Sequence, residues 1–345
     1  MKIALGQKIH LGPWGGGNNF IISLVEHLQR NGHTVVNELK DDDIDIILLT
    51  DPRRRNPTTS FIANDIFNYL IFKNKKAIVV HRINECDERK NTKFMNLRLR
   101  CANCVADHTI FIGSWLKSLN VWHHDEPVDE KRYSLVLNGA DARVFNADGN
   151  IPWNKQDPFR LVTHHWGGNL MKGFDIYKYL DEMLLSPLWK GRLEFTYIGN
   201  LPPGFKFKNA RHLPPDSGQT LAAELKSHHA YITASKNEPA GMHHIEGALC
   251  GLPILYRNSG ALPEYCAGFG VEFSSPDDFE DALTALMNQY SSLKLKMPNY
   301  PNTADLMVSG YMRVFEKLIM NQDEIVQIRR LWKTPFSHIF NQFSN

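Results

Sequence analysis

The stretch from Ala230 to Glu264 constrains this chain more than any other. It opens with AYITA (Ala230–Ala234), a β-prone run that reads as a strand. Asn237, Pro239 and Gly241 then favour a turn. Met242 to Cys250 is helix-compatible, and Gly251 stands where a helix C-cap glycine belongs. Leu252 to Tyr256 is a second short apolar strand. Strand, helix and strand make a βαβ unit, which puts the chain in the α/β class. The unit carries two acids. Glu238 lies in the turn, and Glu246, eight residues on, lies in the helix.

That arrangement suits a particular chemistry. A helix N-terminus offers free backbone N–H groups and a partial positive charge, which favour phosphate. Carboxylates in the same place would repel phosphate. They fit if they accept hydrogen bonds from sugar hydroxyls on either side of a diphosphate. A nucleotide sugar has that layout: ribose, diphosphate, sugar. Taken singly, each glutamate reads first as a solvated turn or helix residue; the whole constellation favours the ligand reading.

The wider pattern is more specific. Ser235-x-x-Glu238-Pro-x-Gly241, then Glu246, Gly251-x-Pro253 and Gly260-x-x-Pro263-Glu264 resembles the signature of the family 4 retaining glycosyltransferases. The resemblance implies the GT-B fold, two Rossmann-like domains facing across a cleft. It implies transfer of a sugar, of hexosyltransferase type, from a nucleotide-sugar donor to a hydroxyl of a saccharide, lipid-linked or other acceptor, with retention and without a metal. In that reading Glu246 holds the donor ribose and Glu238 acts at the donor sugar. The backbone of Gly241, Met242 and His243 meets the diphosphate. A sugar-nucleotide epimerase of the same fold and a non-catalytic nucleotide-sugar-binding subunit are the alternatives.

Composition narrows the class. A chain of 345 residues can bury two α/β cores. A formal net charge of +2 gives no argument for nucleic acid. Met1 to Leu5 runs straight into a strand-like segment, and no apolar run is long enough to span a bilayer. Five cysteines without framework spacing fit a reducing compartment, so the expectation is a cytoplasmic protein.

In chain order, Lys2–Gln7 reads as a strand, followed by Gly12-Pro-Trp-Gly15-Gly16-Gly17 and a helix over Phe20–Arg30. Glycines there let backbone approach a ligand, and Gly16 and Gly17 are candidate donor contacts. The spacing is not G-x-G-x-x-G, which argues against a dehydrogenase. Asp51–Pro57 is a basic turn, either an acceptor contact or a solvated loop. Ala77–Val80 reads as a strand with His81 at its end, where ligands of open α/β sheets gather. The resemblance makes His81 a candidate catalytic residue. Arg89–Asp107 reads as a helix with Phe94, Leu97, Cys101, Cys104 and Val105 on one stripe. Its basic face over 89–100 is a candidate contact for an anionic membrane surface. Cys101-x-x-Cys104 lacks a second pair at metal spacing.

Asn138-Gly-Ala-Asp141 resembles the close of the family's first domain, and 147–158 reads as a linker. His164-His165-Trp166-Gly-Gly-Asn169-Leu-Met-Lys172-Gly173 resembles the family's diphosphate loop, with Lys172 as its lysine. The family's arginine five residues earlier is Gly167 here. Gly199 and Leu213 fall where the resemblance puts backbone contacts to the base. Vicinal histidines (164–165, 228–229, 243–244) invite a metal reading, but the resemblance implies none. The expected organisation is an acceptor domain over 1–147 and a nucleotide-sugar domain over 148–320. A helical segment over 321–345 is expected to return to the first domain.

Overall fold

The computed structural model describes residues 1–10, 12, 14–119, 122, 130–332, 336 and 337. They divide into two compact units. One holds Met1–His10, Phe20–Leu137 and the chain from Asp305 onward; the other holds Asn138–Ala304 and the described residues among 11–19.

In the first unit β1 (Lys2–Leu5), α1 (Gly16–Arg30), β2 (Thr34–Val36) and β3 (Ile46–Leu49) lead into α2 (Ala63–Phe72) and β4 (Ile78–Ile83). Then come α3 (Met95–Ala102), β5 (His108–Phe111), α4 (Ser114–Lys117) and β6 (Tyr133–Leu135). The first residues of α1 group with the other unit. The six strands are parallel in the order β2-β1-β3-β4-β5-β6. Strands of a parallel sheet are covered on both faces and so read as apolar runs. Ile46–Leu49 is such a run, with every residue buried. Ile3, Leu5, Phe20, Leu24 and Ile110 pack on one side, Ile47, Leu49, Ile66, Phe67 and Val79 on the other.

The second unit runs β7 (Phe159–His165), α5 (Phe174–Met183), β8 (Leu193–Gly199), β9 (Arg211–Leu213), α6 (Gly218–Lys226) and β10 (Ala230–Thr233). It continues with α7 (His243–Leu249), β11 (Ile254–Arg257), α8 (Leu262–Cys266), β12 (Gly270–Phe273) and α9 (Pro276–Lys296). Its sheet is also six-stranded and parallel, in the order β12-β11-β10-β7-β8-β9. The chain then enters α10 (Ala304–Met320) and α11 (Gln322–Ile328). Met307, Val308, Tyr311, Phe315 and Leu318 of α10 recur at helical spacing and pack into the first unit's core.

Several elements depart from the sequence expectation. The stretch 147–158 is held to the second unit: Ile151 N–H donates to the Lys226 carbonyl at 3.2 Å and Trp153 N–H to the Tyr290 hydroxyl at 3.0 Å. The second unit begins at Asn138, and the first resumes at Asp305. Strand β4 continues through His81 to Ile83, so His81 is an interior residue paired with Leu49 and Thr109.

The helix expected from Arg89 begins only at Met95. Asp87 caps it there, accepting from the Met95 N–H at 2.8 Å, the Asn96 N–H at 2.9 Å and the Thr92 hydroxyl at 2.6 Å. Asn91, at φ 52°, also breaks any earlier helix. Met95, Leu99, Cys101 and Ala102 form its buried stripe, while Phe94 and Leu97 are exposed. Helix α9 starts earlier than Phe279, because Ser275 and Asp278 form a capping box with Pro276 in the first turn. Within the helical segment expected over 321–345, α11 ends at Ile328. Arg329 turns away to Asp107, at 2.6 Å, and to the Lys75 and Ala77 carbonyls at 2.7 Å. Residues 333–335 and 338–343 lie outside the described residues.

Candidate functional site

The site-bearing loops of the second unit follow the carboxyl ends of β7 and β10, adjacent strands of the sheet. After β7 the chain makes a short 3₁₀ turn over Leu170–Lys172 and enters α5 through Gly173 at φ +97°. A Cβ on Gly173 would lie 2.3 Å from the Ala234 carbonyl oxygen, so only glycine brings this turn against the end of β10. Lys236 N–H donates to the Met171 carbonyl at 2.8 Å, which ties the two loops together.

Lys172 Nζ consequently donates to Glu238 Oε2 at 2.7 Å, with the side chains 10% and 2% exposed. Gly260, at φ +62°, backs Glu238: a Cβ there would stand 2.4 Å from the Glu238 carbonyl oxygen. Ala261 N–H donates to that same oxygen at 2.8 Å. The Gly260-x-x-Pro263 pattern therefore shapes the turn that carries the acid. Arg257 and Asp175 pair behind it at 2.7 Å, and Arg257 also donates to the Ala234 carbonyl at 3.1 Å.

Glu246 is buried on α7 and has both carboxylate oxygens engaged. His164 Nε2 lies 2.7 Å from Oε2, and Asn19 Nδ2 donates to Oε1 at 3.0 Å. His164 Nδ1 in turn meets the Tyr231 hydroxyl at 3.1 Å. Along the glycine loop, a Cβ on Gly15 would meet Trp166 at 3.3 Å and one on Gly16 would meet Met242 at 2.4 Å. Gly17 follows in the first turn of α1. At Gly241 a Cβ would collide with the His243 ring at 2.4 Å and stand 3.3 Å from the Glu238 carboxyl carbon.

Four buried histidines surround these groups. His243 Nε2 meets the Thr233 hydroxyl at 2.8 Å and His165 Nε2 the Tyr177 hydroxyl at 2.8 Å. The His165 and His243 rings are 4.5 Å apart. Burial pushes the His165 pKa well below its ordinary value, with the Lys172 cation adding to it. Burial does the same to His243, helped by His165, and takes His244 down to about 3. These three rings are neutral at pH 7. Among the described residues His165 Nδ1, both His244 nitrogens and Ser235 Oγ are buried without a hydrogen-bond partner. Buried polar atoms of this kind ordinarily find a partner. Among the described residues no cluster of three or more His, Cys, Asp or Glu has metal-holding geometry.

Gly199, at φ +137°, lies against the His165 carbonyl, which a Cβ would approach to 2.0 Å. His212 Nε2 donates to the Gly199 carbonyl at 2.8 Å, and Leu213 follows at the end of β9. Lys172, Glu238, Gly241, Met242, His243 and Glu246 thus share one locality with Gly16. His81 belongs to the first unit. It is fully buried, with Nδ1 2.9 Å from Asn103 Oδ1, an oxygen that also accepts from Thr109. Burial lowers its pKa to about 4. With the Nδ1 proton on Asn103, Nε2 carries a lone pair, so the ring accepts and does not donate there. Asn19, Tyr231 and Arg257 contact residues of this candidate site and were missed by sequence reasoning. Their partners lie 227, 67 and 82 residues away, and no local motif marks such pairings.

No family model and no curated protein sequence matches the chain. Solved structures do. Sucrose-phosphate synthase from Thermosynechococcus elongatus is 13% identical with a TM-score of 0.64, over 93% of this chain and 99% of that one. The catalytic domain of starch synthase IV from Arabidopsis thaliana, bound to ADP and acarbose, is 12% identical with a TM-score of 0.69, over 92% and 99%. Anabaena HepE in complex with UDP and glucose is 12% identical with a TM-score of 0.66, over 92% and 100%. The chain therefore has the GT-B fold, an α/β architecture with two parallel six-stranded sheets.

Proposed function

We propose that this chain is a retaining glycosyltransferase that moves a sugar from a nucleotide-sugar donor to a hydroxyl acceptor. One observation carries the reading: a buried cation and a buried carboxylate, Lys172 and Glu238, pair at 2.7 Å in the loops that follow two adjacent parallel strands of a GT-B fold, with a second buried carboxylate, Glu246, in the first turn of α7. Two of the similar structures hold ADP or UDP, one with glucose and one with acarbose. Here Glu246, already oriented by His164 and Asn19, would accept from the ribose hydroxyls. Lys172 would move from Glu238 to the leaving diphosphate, whose growing charge the backbone of Gly241, Met242 and His243 would share. Glu238, released by Lys172, would accept from a hydroxyl of the transferred sugar. Gly199 and Leu213 would meet the base through backbone, and Gly16 and Gly17 the donor. His81 would accept from a sugar hydroxyl through Nε2 or act through its backbone.

The reaction so conceived needs no divalent metal. The acceptor would be a glycan or lipid-linked saccharide in glycan biosynthesis, handled in the cytoplasm. Around α3, exposed Phe94 and Leu97 stand among exposed Lys93 and Arg100, a surface suited to peripheral contact with anionic lipid. Among the described residues no helix is long and apolar enough to cross a membrane.

Calorimetry against a panel of nucleotide sugars tests the donor site, with transfer assayed in EDTA. A donor should bind, and Glu246→Ala should weaken it by about 1.5–3 kcal/mol, the range for hydrogen bonds to a charged group. Unchanged affinity would remove the ribose assignment. Loss of turnover on chelation, restored by Mg²⁺, would remove the metal-free mechanism.

A further inference from the structure

Trp14 and Trp166 form an exposed aromatic pair in the second unit that neither the fold nor the donor site requires. Their ring centroids are 6.2 Å apart, tilted by 34°, and the side chains are 40% and 44% exposed. Indole is costly to leave in water, and an exposed aromatic pair marks a surface that something covers. Three contacts tie the pair to the charged site. Trp166 directly follows His165, whose ring lies 4.5 Å from that of His243. Gly15, at φ +80°, presses the glycine loop onto Trp166, and the next glycine, Gly16, lies against Met242. Asn19, in the first turn of α1 that the loop leads into, donates to Glu246.

The spacing decides what the pair can hold. A flat ring clasped between two indoles needs about 3.5–4 Å on each side, so roughly 7–8 Å between planes. At 6.2 Å and 34° the indoles contact each other and leave no slot. What they present is a ledge, usable from its solvent side only. One apolar face of a pyranose, with its axial C–H bonds directed at the negative face of the indoles, fits such a ledge. The hydroxyls around the ring edge then need polar partners. Asn169 lies in the same loop as Trp166: its Nδ2 is the atom nearest a Cβ built at Gly167, at 3.6 Å.

We propose that Trp14 and Trp166 form a stacking ledge for a saccharide ring. This deepens the proposed function and rests on it for the neighbouring nucleotide. The ring belongs either to the donor's own sugar or to the acceptor, and the same chemistry serves both.

The test uses the full chain, as wild type, the Trp14→Ala/Trp166→Ala double variant and the corresponding double Phe variant. Each is first checked for an unchanged melting temperature. Each is then titrated by calorimetry and by tryptophan emission with UDP, ADP, their glucose conjugates, and a panel of neutral mono- and disaccharides. The sugar-bearing ligand should shift wild-type emission. Its affinity should fall at least ten-fold in the Ala variant and recover to within three-fold in the Phe variant. The bare nucleoside diphosphate should bind all three proteins within two-fold. A loss confined to the nucleotide sugar assigns the ledge to the donor; a loss confined to free saccharide assigns it to the acceptor. Three results overturn the proposal: a sugar-bearing ligand held equally by the Ala variant, a bare nucleotide weakened as much as its conjugate, or a wild type that binds no saccharide-bearing ligand. If no nucleotide binds but a saccharide does and depends on the tryptophans, the donor reading fails and the ledge stands.

Discussion

Lys172 and Glu238 neutralise each other in a space that excludes water. A buried pair like this is weak as a source of net stability, because desolvation offsets most of the attraction, but removing one partner leaves the other charge stranded. Lys172→Ala should therefore lower stability by about 3–5 kcal/mol as well as kcat, since the cation matters more as charge builds on the leaving group. The double variant Lys172→Met/Glu238→Leu should recover most of the melting temperature and none of the turnover. A single variant with full stability and full kcat would show that the pair is neither buried in solution nor used in transfer. His81 is separable in the same way. If it packs β4 and nothing more, His81→Asn lowers the melting temperature and leaves kcat near normal. If it contacts the reacting sugar, kcat falls on the order of 10²-fold with the melting temperature little changed.

Individual elements explain why parts of this site were legible in the sequence. The βαβ unit from Ala230 to Arg257 was readable because a turn-glycine, a short helix and a C-cap glycine must occur in that order for β10 and β11 to lie parallel. Lys172 and Glu238 were readable as candidate site residues through a resemblance carried by such local patterns. Their contact was not, because it depends on how closely two loops approach. The late start of α3, at Met95 and not Arg89, was written in Asp87, yet an acid ahead of an apolar stripe does not announce which N–H groups it will cap. Gly173 tests the loop approach directly. Gly173→Ala combines a left-handed backbone with a collision against the Ala234 carbonyl, whereas Gly191, at φ +74°, has nothing within 4 Å of an added Cβ. Gly191→Ala should cost only the backbone term, about 1–2 kcal/mol. Gly173→Ala should cost clearly more and also weaken donor binding, because Lys172 precedes it. Equal melting temperatures for the two variants would mean that the turn relaxes without penalty.

At the scale of the whole molecule, buried imidazoles set how the fold responds to acid. Burial holds His81, His108, His228 and His229 at about 4 and His244 at about 3, with His165 and His243 also well below the ordinary value. They are distributed over both units, so neither unit is exempt. In each case the charged form is disfavoured in the folded chain, whereas an unfolded histidine titrates near 6.5. As pH falls through about 6.5 the unfolded chain takes up protons that the folded chain refuses, and stability drops. The contribution is complete above about 6.5 and is lost from there down toward about 4. A fully buried ring such as His244 accounts for about 2 kcal/mol of the loss by pH 5. Carboxylates held low by cationic neighbours or hydrogen bonds, such as Glu85 and Asp175, keep their contribution above the ordinary carboxylate range and surrender it as pH falls through that range and below, so most of their loss comes at lower pH than that of the histidines. The melting temperature should accordingly fall steeply between pH 6.5 and pH 5 and be nearly flat from pH 7 to pH 8. His244→Phe, which keeps an aromatic ring against Tyr265, should shallow the slope in that window without moving the neutral plateau downward by a comparable amount. A melting temperature that is flat or rises between pH 6.5 and pH 5 would mean that these rings are solvated in the folded protein, and with them the polar chamber around Lys172 and Glu238.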